Sequence, residues 1–68
     1  MKAETFRKVN EAITVANYRQ LGGKSCALVI APQYVVVCDP NDVESYASIS
    51  DHVEYFWAED DERQTSTR

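Results

Sequence analysis

Apolar residues recur at helical spacing over the first twenty positions of the chain. The recurring residues are Phe6, Val9, Ile13 and Ala16. Spacings of three and four residues keep side chains on one face of a helix, so the pattern predicts an amphipathic helix from Lys2 to Gln20. Gly22 and Gly23 follow the last predicted turn. Glycine ends helices readily because it adopts the left-handed conformation without a Cβ penalty.

The pattern then changes to two short runs rich in β-branched residues, SCALVIA and YVVVCD. Runs of this kind predict β-strands. Pro32 and Gln33 lie between them, and proline suits a turn because its φ is fixed and it donates no backbone hydrogen bond. Pro-Gln is not a pair typical of two-residue turns. The sequence therefore predicts an antiparallel hairpin with a loop of about three to five residues.

The register of this hairpin decides where its two cysteines lie. If the numbers of paired residues sum to 64, Cys26 faces Cys38 on one side of the sheet. If they sum to 65, the thiols lie on opposite faces, because a slip of one residue reverses every side chain. Only the first register permits a disulfide. Two cysteines are too few for a disulfide scaffold, so the expectation is two reduced, buried thiols.

Both faces of the predicted hairpin are apolar, whereas a solvated antiparallel sheet alternates apolar with polar residues. The N-terminal helix is expected to cover one face, by packing on Leu28, Ile30 and Val36. The opposite face, with Ala27 and Val29, needs cover from the C-terminal segment or from another chain. A homodimer through this hairpin face is therefore one expectation.

The segment after the hairpin carries signals for both helix and strand. Asp39 can cap a helix, and Pro40 suits the first helical position. Ser48 and Asp51 have the spacing of a capping box. The apolar and aromatic residues that follow Ser48 recur at helical spacing, so a helix is favoured over residues 49–58. These residues are Ile49, His52, Val53, Phe56 and Trp57. The same segment is also rich in residues that favour strands. If it forms a third strand, alternate residues share a face, and these are Val53, Tyr55 and Trp57.

These elements predict an α+β fold of order αββα. Its parts are an N-terminal amphipathic helix, a two-stranded antiparallel β-hairpin and a C-terminal acidic segment, helical or forming a third strand. Residues 1–62 are expected to form one domain and residues 63–68 a frayed polar tail. No apolar run approaches the roughly 18 residues that span a bilayer, and the N-terminus resembles no secretion signal. The expectation is a cytoplasmic protein of a microbe or of one of its viruses.

Three features could suggest catalysis or cofactor binding, and none is convincing from the sequence. Gly22-Gly23-Lys24-Ser25 resembles the end of a phosphate-binding loop, but the motif requires a glycine where Tyr18 stands. The motif also lies after a predicted helix, whereas phosphates bind at a helix N-terminus. His52 could act as a base for Cys38, yet a lone histidine is more often a boundary residue. Two cysteines and one histidine are too few for a zinc site. We therefore expect neither an enzyme nor a cofactor or metal.

Charge is distributed unevenly along the chain. The chain has a net charge of −4, and residues 39–62 contain nine Asp or Glu residues and no Lys or Arg. This sign disfavours direct nucleic-acid binding. Aromatic residues stand among these acids, and arginine pairs well with both carboxylates and aromatic rings. The segment is therefore expected to meet a basic surface, although acids also keep a marginal domain soluble and aromatic residues also build cores.

Two classes of function fit these observations. The first is a small phage or mobile-element accessory protein that inhibits or modulates a larger host protein, as anti-CRISPR and anti-restriction proteins do, some of them by mimicking DNA. Its partner would be a protein with a basic, nucleic-acid-binding surface. The expected partner-binding residues are Asp51, Glu54, Tyr55, Trp57, Glu59, Asp60, Asp61 and Glu62. The alternative is a homodimeric or subunit-type structural module.

Overall fold

A computed structural model describes residues 3–62. Its elements are β1 (Glu4–Phe6), α1 (Val9–Leu21), β2 (Cys26–Ile30), β3 (Val35–Cys38), a 3₁₀ helix (Pro40–Tyr46) and β4 (His52–Phe56). The strands form one antiparallel sheet in the order β1-β3-β2-β4. The helix α1 covers one face of this sheet and the 3₁₀ helix lies on the other.

The predicted αββα architecture is wrong, because the sheet has four strands and no helix follows the 3₁₀ turn in the described residues. The predicted first helix begins too early. Glu4–Phe6 forms β1, which pairs with β3, and the helix starts at Val9 after Lys8, whose backbone is extended. Pairing with β3 gives this segment backbone hydrogen bonds that a solvent-exposed first helical turn lacks.

The helix contacts the sheet through small side chains. Ala12 and Ala16, one turn apart, are fully buried, and Ile13 packs beside them. The predicted stripe is therefore only partly right, because Val9 is 40% exposed and Phe6 reaches this core from β1. Alanine has no side chain beyond Cβ, so two alanines on the contact face let the helix backbone lie close to β2 and β3.

The hairpin of β2 and β3 takes the register in which paired residue numbers sum to 65. Ile30 pairs with Val35, and the backbone N–H of Ala31 donates to the Tyr34 carbonyl at 2.9 Å to close the loop. Cys26 and Cys38 consequently belong to cores on opposite faces of the sheet. Both are buried free thiols, and this register allows no disulfide between them.

The second face of the hairpin is covered by residues of the same chain. The carboxylate of Asp39 accepts the Asn41 N–H at 2.9 Å, and Pro40 takes the first position of the 3₁₀ helix, as the sequence indicates. Val43 and Tyr46 of this helix then pack on the sheet. The residues beneath them are Ala27, Val29, Val36 and Cys38, each at most 2% exposed. This cover removes the apolar surface that suggested a dimer through the hairpin face.

The helix predicted over residues 49–58 is also wrong, and the strand alternative is right. His52–Phe56 forms β4 along the free edge of β2. Asp51 does not join a capping box with Ser48; its backbone N–H instead donates to the Ile30 carbonyl at 2.7 Å. Pairing with a preformed strand edge satisfies backbone groups along the whole segment, and this outweighs a weak helical periodicity.

Two expectations about the chain as a whole have separate outcomes. Across residues 3–62 there is no helix with the length and apolar character needed to cross a membrane. The polar tail expected at residues 63–68 lies outside the described residues.

Candidate partner-binding surface

The strand β4 forms one edge of the sheet and separates the expected binding residues between two faces. His52, Glu54 and Phe56 lie on the face covered by α1, since they pair with the α1-facing residues of β2. Val53 and Tyr55 lie on the opposite face. Glu54 and Tyr55 are both exposed, yet they cannot contact one flat partner surface from the same side of the strand.

Two aromatic residues at the end of β4 form a stacked pair. The ring centroids of Tyr55 and Trp57 are 5.1 Å apart, with an angle of 3° between their planes. Tyr55 is 46% exposed, whereas Trp57 is half-buried. The Trp57 carbonyl accepts a hydrogen bond from Gln20 Nε2 at 2.9 Å. This bond ties the end of β4 to the last turn of α1 and holds the pair beside the helix terminus.

An open groove of about 740 Å³ lies where the end of α1 meets the segment after β4. Leu21, which is 88% exposed, and Trp57 supply apolar surface, and Glu59 and Asp60 supply carboxylates. Gln20 and Gly23 are the other lining residues within residues 3–62, and none of the lining residues in this range is basic. We call this feature the acidic groove. It combines apolar contact area with negative charge, which suits a partner side chain that has both an apolar stem and a cationic head.

A buried serine fixes one wall of the acidic groove. Ser25, 8% exposed, accepts the backbone N–H of Ala58 at 2.8 Å on its hydroxyl oxygen and donates its own proton to the Asp61 carboxylate. Ala58 is itself buried, so its N–H needs this acceptor. The hydroxyl therefore holds residues 58–61 against the start of β2 and places Glu59 and Asp60 at the groove.

Replacing Ser25 by alanine should lower the free energy of unfolding by about 1–3 kcal/mol, because the buried Ala58 N–H loses its acceptor. Urea denaturation followed by circular dichroism measures this loss. Ser50→Ala is the matched control, since the Ser50 hydroxyl makes only an exposed 3.4 Å contact with the Ala47 carbonyl. A change within about 0.5 kcal/mol is expected there. Equal losses in the two variants would contradict the role given to Ser25.

The eight expected binding residues are thus distributed over several places. Trp57, Glu59 and Asp60 line the acidic groove, and Tyr55 joins them through the stacked pair. The other four lie elsewhere or have a structural bond: Asp51 near the hairpin loop, Glu54 on the other face of β4, Asp61 bonded to Ser25, and exposed Glu62.

Sequence reasoning missed three residues of this site: Gln20, Leu21 and Ser25. Gln20 and Leu21 end α1 and Ser25 directly precedes β2, so all three are far in sequence from residues 57–61. Gln20 and Ser25 bond to that segment, and Leu21 lines the groove with it. One sequence signal indicates that Leu21 is exposed. It directly precedes the Gly22-Gly23 pair that ends the helix, and helix ends commonly face solvent.

The Gly22-Gly23-Lys24 turn uses its backbone donors internally. The N–H groups of Gly22, Gly23 and Lys24 donate to α1 carbonyls at 2.9–3.1 Å, and Gly23 adopts a φ of 84°. A phosphate-binding loop needs such N–H groups pointing at the anion. The turn is therefore a helix end followed by a strand, as the sequence indicates.

The cysteines and the histidine do not form a nucleophile–base pair. Cys38 is fully buried on the face opposite to His52, whose imidazole lies 3.9 Å from the Glu54 carboxylate. Burial raises the pKa of the Cys38 thiol from 9.0 to about 11, and the nearby Asp42 and Asp39 carboxylates add to this effect. Burial also raises the pKa of Cys26. Both thiols are thus held in the protonated, weakly nucleophilic form.

No set of three His, Cys, Asp or Glu residues is placed to hold a metal ion within the described part of the chain. Comparisons of the chain with known protein families, with curated protein sequences and with solved structures find no match.

Proposed function

We propose that this protein is a small, non-enzymatic cytoplasmic interaction protein that binds a basic surface of a larger protein and thereby inhibits or modulates it. The observation that carries the proposal is the acidic groove. It brings Trp57, Glu59 and Asp60 together with the exposed side chain of Leu21. An arginine or lysine of a partner would find apolar contact for its stem, aromatic surface and two carboxylates within one depression.

The charge of the surrounding surface supports the same partner chemistry. Residues 39–62 contain nine acidic residues and no Lys or Arg, so a basic surface is attracted at long range and encounter is faster. Binding energy would come mainly from the aromatic anchors, Tyr55 and Trp57. A protein with a basic nucleic-acid-binding cleft has the required surface. The size and charge suit the phage or mobile-element inhibitors of anti-CRISPR or anti-restriction type, which present carboxylates in place of phosphates.

Charge reversal within the acidic groove tests the proposal. The tagged double variant Glu59→Lys with Asp60→Lys should retain at least tenfold less of a basic partner from bacterial lysate than the natural chain, and the retained partner should elute as salt rises. Asp42→Lys with Glu44→Lys is the matched control, because it changes net charge equally but on the exposed side of the 3₁₀ helix. Retention should stay largely intact in this control.

Two results would count against the proposal. If both double variants lose retention equally, the effect reflects net charge alone and not the acidic groove. If the groove variant retains the same proteins at the same salt, its carboxylates are not part of the binding surface.

The alternative of a homodimeric structural module stays a prediction, and sedimentation of the purified protein tests it. The surface on which that prediction was based, the second face of the hairpin, is covered by Val43 and Tyr46 of the same chain. The proposal of an interaction protein therefore has the stronger structural support.

A further inference from the structure

The outer edge of β4 carries backbone groups without a strand neighbour among residues 3–62. The Ala31 N–H donates to the Tyr34 carbonyl, so odd-numbered residues of β2 point their backbone groups at β3. The Ile30 carbonyl accepts the Asp51 N–H, so even-numbered residues of β2 point at β4. In the antiparallel pairing of β2 with β4, Val53 and Tyr55 then direct their N–H and C=O groups outward.

The two edges of the sheet are not equivalent. β1 has three residues, and its first residue, Glu4, is ion-paired with Arg19 of α1. β4 has five residues and contains neither Lys nor Pro, the residues that most often protect an edge from pairing. β4 is thus the edge that is long enough to accept another strand.

The negative charge of Glu54 limits which strands can pair with the outer edge of β4. If two copies of β4 paired about its central residue, one Glu54 would lie directly opposite the other, and opposed like charges destabilise a strand pair. Asp51 precedes the strand, Glu59 and Asp60 follow it, and no Lys or Arg occurs from residue 39 to residue 62. The edge therefore favours a strand that brings positive charge.

We propose that β4 binds an extended segment of the partner by strand addition. In this segment Lys or Arg would alternate with apolar residues, because side chains of a strand alternate between faces. The basic residues lie beside Glu54 on one face, and the apolar residues lie beside Val53 and Tyr55 on the other. This inference rests on the proposed function and adds to it the conformation and the residue pattern of the bound segment.

A synthetic peptide of alternating Lys and Val tests the inference on the full chain. At saturation, solvent exchange of the Val53 and Tyr55 amide protons should slow at least tenfold, as measured by NMR. The Glu54 amide, which already faces β2, should change little. A Glu–Val peptide of the same length should bind at least tenfold more weakly, and a Lys–Val peptide with methylated backbone nitrogens should not protect the edge.

Two variants at Tyr55 distinguish the contribution of the β4 backbone to peptide binding from that of the Tyr55 side chain. Tyr55→Pro and Tyr55→Ala both remove the ring, but only proline also removes the outward N–H. Proline is tolerated in an edge strand where the N–H faces solvent. The proline variant should bind the Lys–Val peptide at least tenfold more weakly than the alanine variant. If Tyr55→Pro does not fold, the exchange measurement on the natural chain decides alone.

Several outcomes would overturn strand addition. Saturation by the Lys–Val peptide without slower exchange at Val53 and Tyr55 would do so. NMR chemical-shift changes confined to Leu21, Trp57 and Glu59 would place the peptide in the acidic groove, which overturns strand addition but leaves the proposed function intact. Equal binding of the Glu–Val peptide, no binding of the Lys–Val peptide, or pairing of β4 with a second copy would also overturn it. The proposed function fails separately, through the lysate experiment with Glu59→Lys and Asp60→Lys.

Discussion

Replacing Leu28 by alanine should lower the free energy of unfolding by about 3 kcal/mol. Leu28 is fully buried in the centre of β2 and packs in the core beneath Ala12 and Ala16 of α1. The helix is already close to the sheet there, so it cannot move inward to fill the cavity left by the missing methyl groups. A domain of this length has a total stability of only about 3–10 kcal/mol, so a loss of this size removes about a third of that stability or more.

The chain provides a chemically identical control. Leu21 is 88% exposed at the end of α1, and Leu21→Ala should change stability by no more than about 0.5 kcal/mol. Urea denaturation of both variants at one temperature makes the comparison. Similar losses in the two would mean that the core is not centred on β2. Leu21→Ala should also weaken binding of a basic partner if the acidic groove is the binding surface.

Raising the pH from 8 to above 11 should destabilise the protein by up to about 3 kcal/mol. The pKa of Cys38 rises from 9.0 in an exposed thiol to about 11 in the folded chain, and each pKa unit corresponds to about 1.4 kcal/mol. Below pH 9 the thiol is protonated in both states, and this stability is fully present. Between pH 9 and 11 only the unfolded chain ionises, so stability falls as the pH rises through this window.

Denaturation midpoints of the natural chain and of Cys38→Ala, measured at each pH, check this expectation. The variant has a small cavity and a lower stability at pH 8, but its stability should fall less steeply with pH. Some slope should remain, because burial also raises the pKa of Cys26. Parallel curves for the two proteins would show that Cys38 is not the group responsible.

The local features of this fold were predictable because residues close in sequence determine them. Gly22 and Gly23 end α1, Asp39 and Pro40 start the 3₁₀ helix, and a short loop at Pro32 joins two antiparallel strands. Each depends on the backbone preferences of one or two residues. The sheet as a whole was not predictable in this way, because its outer strands exist through pairing with distant segments.

Three wrong or undecided points have distinct physical causes. β1 has three residues and no apolar alternation, and it is stable only because it pairs with β3. The hairpin register was left open since both faces are apolar, so hydrophobicity favours neither register. Residues 52–57 fit both a helical and a strand pattern, with the helical one slightly favoured, and only the free edge of β2 decides for the strand. The acidic groove needs Leu21 and Trp57 to line one depression, and only the tertiary structure brings these two distant residues to it.

The strand order also sets the order in which the chain can assemble. The hairpin closes across residues 31–34 alone, whereas pairing of β4 closes residues 31–51 and pairing of β1 closes residues 7–34. Loop-closure entropy grows with length, so the hairpin is the least costly first contact. β1 and β4 never touch each other, and each needs the hairpin as its template. β1, which closes the longer loop and has only three residues, is therefore the last strand to lock in folding and the first to loosen in native fluctuations, and β4 is next.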